Sequence, residues 1–203
     1  MPDVDKMDFL DKARKVLVEP SKFFKDRFTE DLSKPAVHVA IVSLIGAVIG
    51  FIFSLPVQLA IGVEIPVLFI GALIGVLLSP LWGLISVSIS GLIAHLFILL
   101  VGGKGGWKRT LKVLAYVYTI NVFTTIPFVG ILPALYGIYL TWVGYRKQHN
   151  LTGMRAAIAI LLPVVLVMFL VGIMVLVMGV ALAGIIGAFG AAGGLEGLEN
   201  AFV

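Results

Sequence analysis

The side chains with the means to do chemistry are few and widely spaced. His38, His95 and His149 are the chain's three histidines, and there is no cysteine, so disulfides, thiolate metal sites and cysteine nucleophiles are excluded. His38 and His95 fall near the ends of two apolar runs, and His149 falls in a loop. A catalytic zinc takes three protein ligands, and no Asp, Glu or Cys lies in the apolar runs to complete one. Imidazoles that pack helices through hydrogen bonds are the simpler expectation, so no metal or cofactor is expected. The stretch Gly102-Gly103-Lys104-Gly105-Gly106 could cradle an anion with successive backbone N–H groups, Lys104 neutralising it. It lacks the Gly-x-x-x-x-Gly-Lys-[Ser/Thr] order of a P-loop, and glycines in a turn between helices serve positive φ in any case. Trp107, Lys108, Arg109 and Lys112 follow, and Arg146 and Lys147 form a second basic group. These are candidates for binding anionic lipid headgroups or a partner, at about 1 kcal/mol per basic residue near the surface. The plain alternative is a loop that only sets topology. Neither His-Glu-x-x-His nor Gly-x-Ser-x-Gly occurs, so no enzymatic activity is expected.

The elements that must position these residues are set by composition. Of 203 residues, 60% are hydrophobic and 13% charged, against about 25% charged in water-soluble domains. The expected fold is all-α, a polytopic integral-membrane helical bundle. Its expected parts are a cytoplasmic or interfacial segment 1–35, a bundle 36–190 of five membrane segments, and a short glycine-rich external tail 191–203. The apolar runs are about 36–58, 67–101, 110–127, 131–146 and 156–189. All Lys and Arg fall before the first run, around 104–112, and at 146, 147 and 155. Basic residues near span ends stay cytoplasmic, so the N-terminus is expected inside and the C-terminus outside. No cleavable signal peptide is evident, and the mature chain is expected to begin near Met1.

Two runs are too long for one perpendicular crossing. Pro80 is expected to break the second into a short piece, 67–78, and a spanning helix, 81–101. The third and fourth runs are short, about 24 Å each at 1.5 Å per residue. Their connection, Pro127-Phe128-Val129-Gly130-Ile131-Leu132-Pro133, carries no polar side chain, which suits a hairpin sunk in the outer interface. Before the first span, Phe9, Leu10, Ala13, Val16 and Leu17 form an apolar stripe. Phe23, Phe24 and Phe28 follow Pro20, so two interfacial helices are expected in the headgroup plane, with Phe9, Leu10, Phe23, Phe24 and Phe28 as anchors.

On the third run Leu114, Tyr118, Asn121 and Thr125 share a helical face, which is expected inside the bundle because an unsatisfied amide in lipid is costly. With His38 and His95 they are the candidate polar interior. Small residues recur four apart at Gly46 and Gly50, where contact within the bundle is expected. They recur again at Gly179, Ala183 and Gly187, where a homo-oligomer is a candidate.

Several motifs together resemble a known family. They are Glu19-Pro20-Ser21-Lys22-Phe23-Phe24, the segment from Gly102 to Tyr116, Ile126-Pro127-Phe128-Val129-Gly130, and the segment from Gly144 to Thr152 ahead of a last span containing Pro163. The chain is similar to the Yip domain family, membrane proteins named for interaction with Ypt/Rab GTPases. The resemblance implies a five-span membrane protein with a cytosolic N-terminus and no catalytic residues. Eukaryotic members carry an Asp-Leu-Tyr/Trp-Gly-Pro motif that is absent here, so the chain looks more like a prokaryotic member of a plasma membrane.

The functional expectation is a non-enzymatic membrane scaffold or adaptor. Its partners are the lipid bilayer, anionic headgroups, a cytoplasmic protein and a further copy of itself, and no nucleic acid. The alternative is a small channel or transporter for a neutral solute, lined by the Asn121 face. Against an ion or proton route stands the absence of Asp and Glu from the spans, and of Lys and Arg from all but their ends at Lys112 and Arg146.

Overall fold

The computed structural model describes residues 7–25, 28 and 30–191, with side chains described up to 187. Among them the regular elements are helical. They are α1 (Phe9–Val18), α2 (Pro20–Phe23), α3 (Ser33–Ala60), α4 (Ile65–Leu100), α5 (Trp107–Val117), a 3-10 turn (Tyr118–Ile120), α6 (Asn121–Thr124), α7 (Ile131–Gln148) and α8 (Gly153–Ala191). The chain divides into two compact units, Met1–Leu161 and Leu162–Val203. The expected external tail lies outside the described residues beyond position 191.

Helix ends follow local chemistry. The Asp8 carboxylate accepts from the Asp11 N–H at 2.8 Å and caps α1, and Pro20 opens α2, where its missing N–H is no loss. Asp31 accepts from both the backbone N–H and the hydroxyl of Ser33, which holds its carboxyl below the usual carboxylate range. Gly62 and Gly102, at φ 80° and 84°, turn the chain out of α3 and α4. Their conformation is one that glycine adopts without steric cost.

Among the described residues three helices are long and apolar enough to cross a membrane: Ser33–Ala60, Ile65–Leu100 and Gly153–Gly187 within α8. The fold therefore carries three helices of crossing length where the sequence analysis expects five segments. The segment expected at 110–127 is not one helix. It is α5, then the 3-10 turn, then the four-residue α6, which a tight turn joins to α7. Phe128 sits in that turn at φ 64°, fully exposed.

The expected break at Pro80 does not occur. Pro80 lies inside the continuous 36-residue α4. Proline forfeits one backbone hydrogen bond, and the Ser79 hydroxyl donates to the Val76 carbonyl at 2.8 Å within the same turn, keeping that carbonyl paired.

The largest departure is at the N-terminus. Phe23 and Phe24 are fully buried and Phe28 nearly so, in a cluster with Val16, Val113, Tyr116, Leu140 and Val143. Phe23 stacks edge-on to Tyr116 at 5.1 Å. Aromatic rings expected to anchor in headgroups instead build the protein's own core, because α5 and α7 offer them a closely packed apolar surface that the sequence does not announce. Phe9 is half-buried, its ring 4.9 Å from that of His38. Leu10 alone of the five expected anchors is openly exposed, at 72%.

Side-chain hydrogen bonds fasten this N-terminal segment. Tyr136 donates to the Leu17 carbonyl at 2.6 Å, and the Gln148 amide donates to the Phe24 carbonyl at 2.9 Å. Beneath them Lys12 pairs with Glu30 at 2.7 Å. The Tyr116 hydroxyl donates to the same carboxylate, and Lys112 donates to the Glu30 carbonyl.

The long helices approach closely where side chains are absent. A Cβ on Gly83 of α4 would overlap the Ser43 hydroxyl of α3, and one on Gly91 would overlap Leu111 of α5. Gly46 and Gly50 seat Thr125, whose side-chain carbons lie 3.7 to 4.0 Å from where their Cβ atoms would stand. This pair contacts a neighbouring segment within the first unit.

Candidate functional site

The two basic loops meet at one end of the first unit. The Lys104 N–H donates to the His149 carbonyl at 3.1 Å, and the Arg109 guanidinium donates to the Gln148 carbonyl at 3.4 Å. Gly105 lies so close to the His149 ring that a Cβ there would overlap it. The glycine-rich loop therefore docks the α4–α5 connection against the α7–α8 connection, with its glycines allowing contact. Gly102 completes the junction: its Cβ would stand 3.5 Å from the Arg155 guanidinium.

The docking gathers separate basic residues. Lys104, Lys108, Arg146, Lys147 and Arg155 are exposed and Arg109 is half-buried, and Trp107 stands exposed at 48%. No Asp or Glu occurs between Glu64 and Glu196, so neither loop carries a neutralising acid. Arg146 lies over the Trp142 ring at 4.7 Å, a cation–π contact that steadies its side chain. Lys112, expected among the lipid-binding cations, is instead 6% exposed and donates to the carbonyls of Phe28 and Glu30. It is a fastening of the core, withdrawn from any headgroup.

Behind the loops one threonine joins two histidines. The Thr110 hydroxyl lies 2.9 Å from His95 Nδ1 and 3.2 Å from His149 Nε2. His149 is fully buried, and its pKa is lowered to about 4, first by that burial and then by His95 and Arg109. His38 is held separately, 2.8 Å from the Thr119 hydroxyl. Among the described residues no three of His, Cys, Asp and Glu come together as metal ligands.

Asn121 lies elsewhere, at the start of α6, on a cavity of about 210 Å³ between α4 and the turn after α5. Ser86, Ser90, Tyr118 and Asn121 supply its polar lining, with Leu114 and Val117 among the apolar wall. Thr125, expected on this face, donates to the Val122 carbonyl and packs on Gly46 and Gly50 instead. His38 and His95 are also not part of the lining. Ser86 and Ser90 were not foreseen; their spacing of four on one helix was the available signal. Gly179, Ala183 and Gly187 are exposed, and nothing lies within 4 Å of a Cβ on either glycine.

No match to the chain was found among curated proteins or among solved structures. The family model of the Yip1 domain matches residues 14–176. That range takes in the N-terminal aromatic segment, both docked loops and most of the long helices, so the chain belongs to the Yip1 domain family.

Proposed function

We propose that the protein is a non-enzymatic integral-membrane scaffold or adaptor that binds anionic lipid headgroups and a partner protein at its basic end. The observation that carries this is the docking of the two loops, neither of which holds an acid, which brings Lys104, Lys108, Arg109, Arg146, Lys147 and Arg155 together at one end beside exposed Trp107. Cations near a membrane surface attract anionic lipid at about 1 kcal/mol each, and an exposed tryptophan suits the headgroup level. That end is cytoplasmic in this reading, by the retention of basic residues inside. Helices α3, α4 and α8 cross, in a prokaryotic plasma membrane, and the α5–α7 hairpin enters from the basic side.

The test is reconstitution in nanodiscs of phosphatidylcholine with a minor fraction of fluorescent phosphatidylglycerol. Enrichment of the anionic lipid around the protein is expected, and its loss when Lys104, Lys108, Arg146 and Lys147 are changed to Gln. Equal enrichment in the two proteins rejects the lipid part. A photoreactive residue at position 107 then reports the partner: capture of one soluble protein, lost in the same variant, supports the adaptor role, and capture of lipid alone rejects it.

A second reading, a channel or transporter for a neutral solute, draws on the cavity beside Asn121. Glycerol influx into vesicles that stops in Asn121→Leu would favour it over the scaffold.

A further inference from the structure

The Asn121 cavity has a feature that the scaffold reading does not require. Serines in membrane helices commonly satisfy their hydroxyls on a carbonyl one turn back. Ser79 and Ser88 of α4 do so, on Val76 and Leu84 at 2.8 and 2.7 Å. Ser86 and Ser90 do not. Among the described residues their hydroxyls, the Tyr118 hydroxyl and the Asn121 amide have no hydrogen-bonding partner within the protein. Ser43, buried on α3 near Tyr118, also leaves its hydroxyl unpaired. Polar groups facing hydrocarbon must find partners or destabilise the fold, and Ser86, Ser90, Tyr118 and Asn121 converge on one space.

Depth, charge and access restrict what fills it. Ser90 and Ser86 stand ten and fourteen residues before the end of α4 at Leu100, which is about 15 and 21 Å along the helix axis. That lies well inside a hydrocarbon core of about 30 Å. No charged side chain lines the cavity, so a phosphate at this depth would be an unpaired charge in low dielectric. The opening faces lipid: Ser86 and Ser90 are exposed on α4, beside Ile85, Ile89 and Ile93, which are 40 to 56% exposed. About 210 Å³ of open groove is room for roughly seven waters at liquid density, the scale of a small polar headgroup. The occupant must be uncharged, must offer several hydrogen-bonding oxygens in a small volume, and must arrive sideways with apolar chains that lie along α4.

We propose that this cavity is a lateral binding site for the hydroxyl and ester head of a neutral glycerolipid, of diacylglycerol chemistry. The lipid's free hydroxyl pairs with the Asn121 amide, and its ester carbonyls accept from Ser86, Ser90 and Tyr118. The acyl chains follow the exposed isoleucine face.

The experiment uses the full chain in phosphatidylcholine vesicles with a diacylglycerol carrying a photoreactive diazirine beside its glycerol. Labelling is expected in peptides containing Ser86 to Ser90 and Tyr118 to Asn121, and an excess of unlabelled diacylglycerol should displace it. The Ser86→Ala/Ser90→Ala double variant and Asn121→Leu should each lower it about fivefold or more, the scale of losing one net hydrogen bond. The serine variant removes only two oxygens from an exposed helix face, so it carries the test if Asn121→Leu fails to fold. Labelling spread evenly over all lipid-facing helices overturns the proposal, as does labelling unchanged in the serine variant. Displacement by extra phosphatidylcholine as effective as by diacylglycerol overturns it too. Asn121-dependent glycerol flux without site-specific lipid labelling also overturns it and assigns the cavity to a free solute.

Discussion

Lys12 of α1 and Glu30, eighteen residues later, form an ion pair of 2.7 Å whose side chains are 6% and 0% exposed, beneath the fastened N-terminal segment. Removing one partner of such a pair strands a buried charge, at a cost of about 3–5 kcal/mol. Lys12→Met should therefore loosen α1 and α2 and expose the chain around Glu19 to limited proteolysis. The double change Lys12→Met/Glu30→Gln should recover part of the resistance, since it removes both members of the pair and leaves buried Lys112 its bonds to the Phe28 and Glu30 carbonyls. A single variant as resistant as the parent would show that the pair does not hold the segment.

Buried His149 gives the basic end a pH dependence. Its pKa is lowered to about 4, against about 6.5 in an unfolded chain, so the unfolded state binds the proton more readily. Stability is then full above about pH 6.5 and falls with acidification until about pH 4, by at most roughly 3 kcal/mol from this group. His95 and Arg109 both oppose the proton, and the Tyr145 ring stands 6.1 Å away. Thermal melts in detergent at pH 7.5 and pH 4.5 should differ by several degrees more in the parent than in His149→Gln.

Gly83 is a packing position for the whole of the α3–α4 pair. Gly83→Ala would drive a methyl group into Ser43 and should cost about 1–3 kcal/mol through overpacking. Pairing it with Ser43→Gly should restore the melting temperature, which isolates the clash from other effects of the substitution.

Topology is testable because the chain lacks cysteine. A single cysteine at Lys104 should react with an impermeant maleimide from the cytoplasmic side, and one at Gly62 from the opposite side. A cysteine at Phe128, in the exposed apolar turn, should react poorly from either side and well with a lipid-soluble reagent. Labelling at positions 62 and 104 from the same side would refute the crossing of α4.

The membrane class, the runs that became α3, α4 and α8, and the basic loops were legible from hydropathy and charge alone. What was not legible concerns who covers whom. The stripe through Val16 and the phenylalanines at 23, 24 and 28 correctly announced an apolar face, but periodicity does not say whether lipid or protein meets it. Tyr116, nearly a hundred residues away, supplies the answer. Lys112 read as a free cation because Glu30, which helps bury it, lies eighty-two residues earlier. The glycines of the 102–106 loop looked like an anion cradle until His149 was found against Gly105. Asn121 was recognised as a polar residue in an apolar run, whereas Ser86 and Ser90 were hidden among serines that serve their own helix.

The acid-free stretch between Glu64 and Glu196 has a consequence for measurement. The loops that carry the lysines and arginines hold no carboxylate and only a buried histidine, so nothing on these loops offsets their positive charge side by side. Added salt screens exposed charges over about 10 Å at 0.1 M, and the fall of vesicle binding with ionic strength becomes a gauge of how much of the protein's hold on a membrane is charge and how much is the tryptophan's apolar ring.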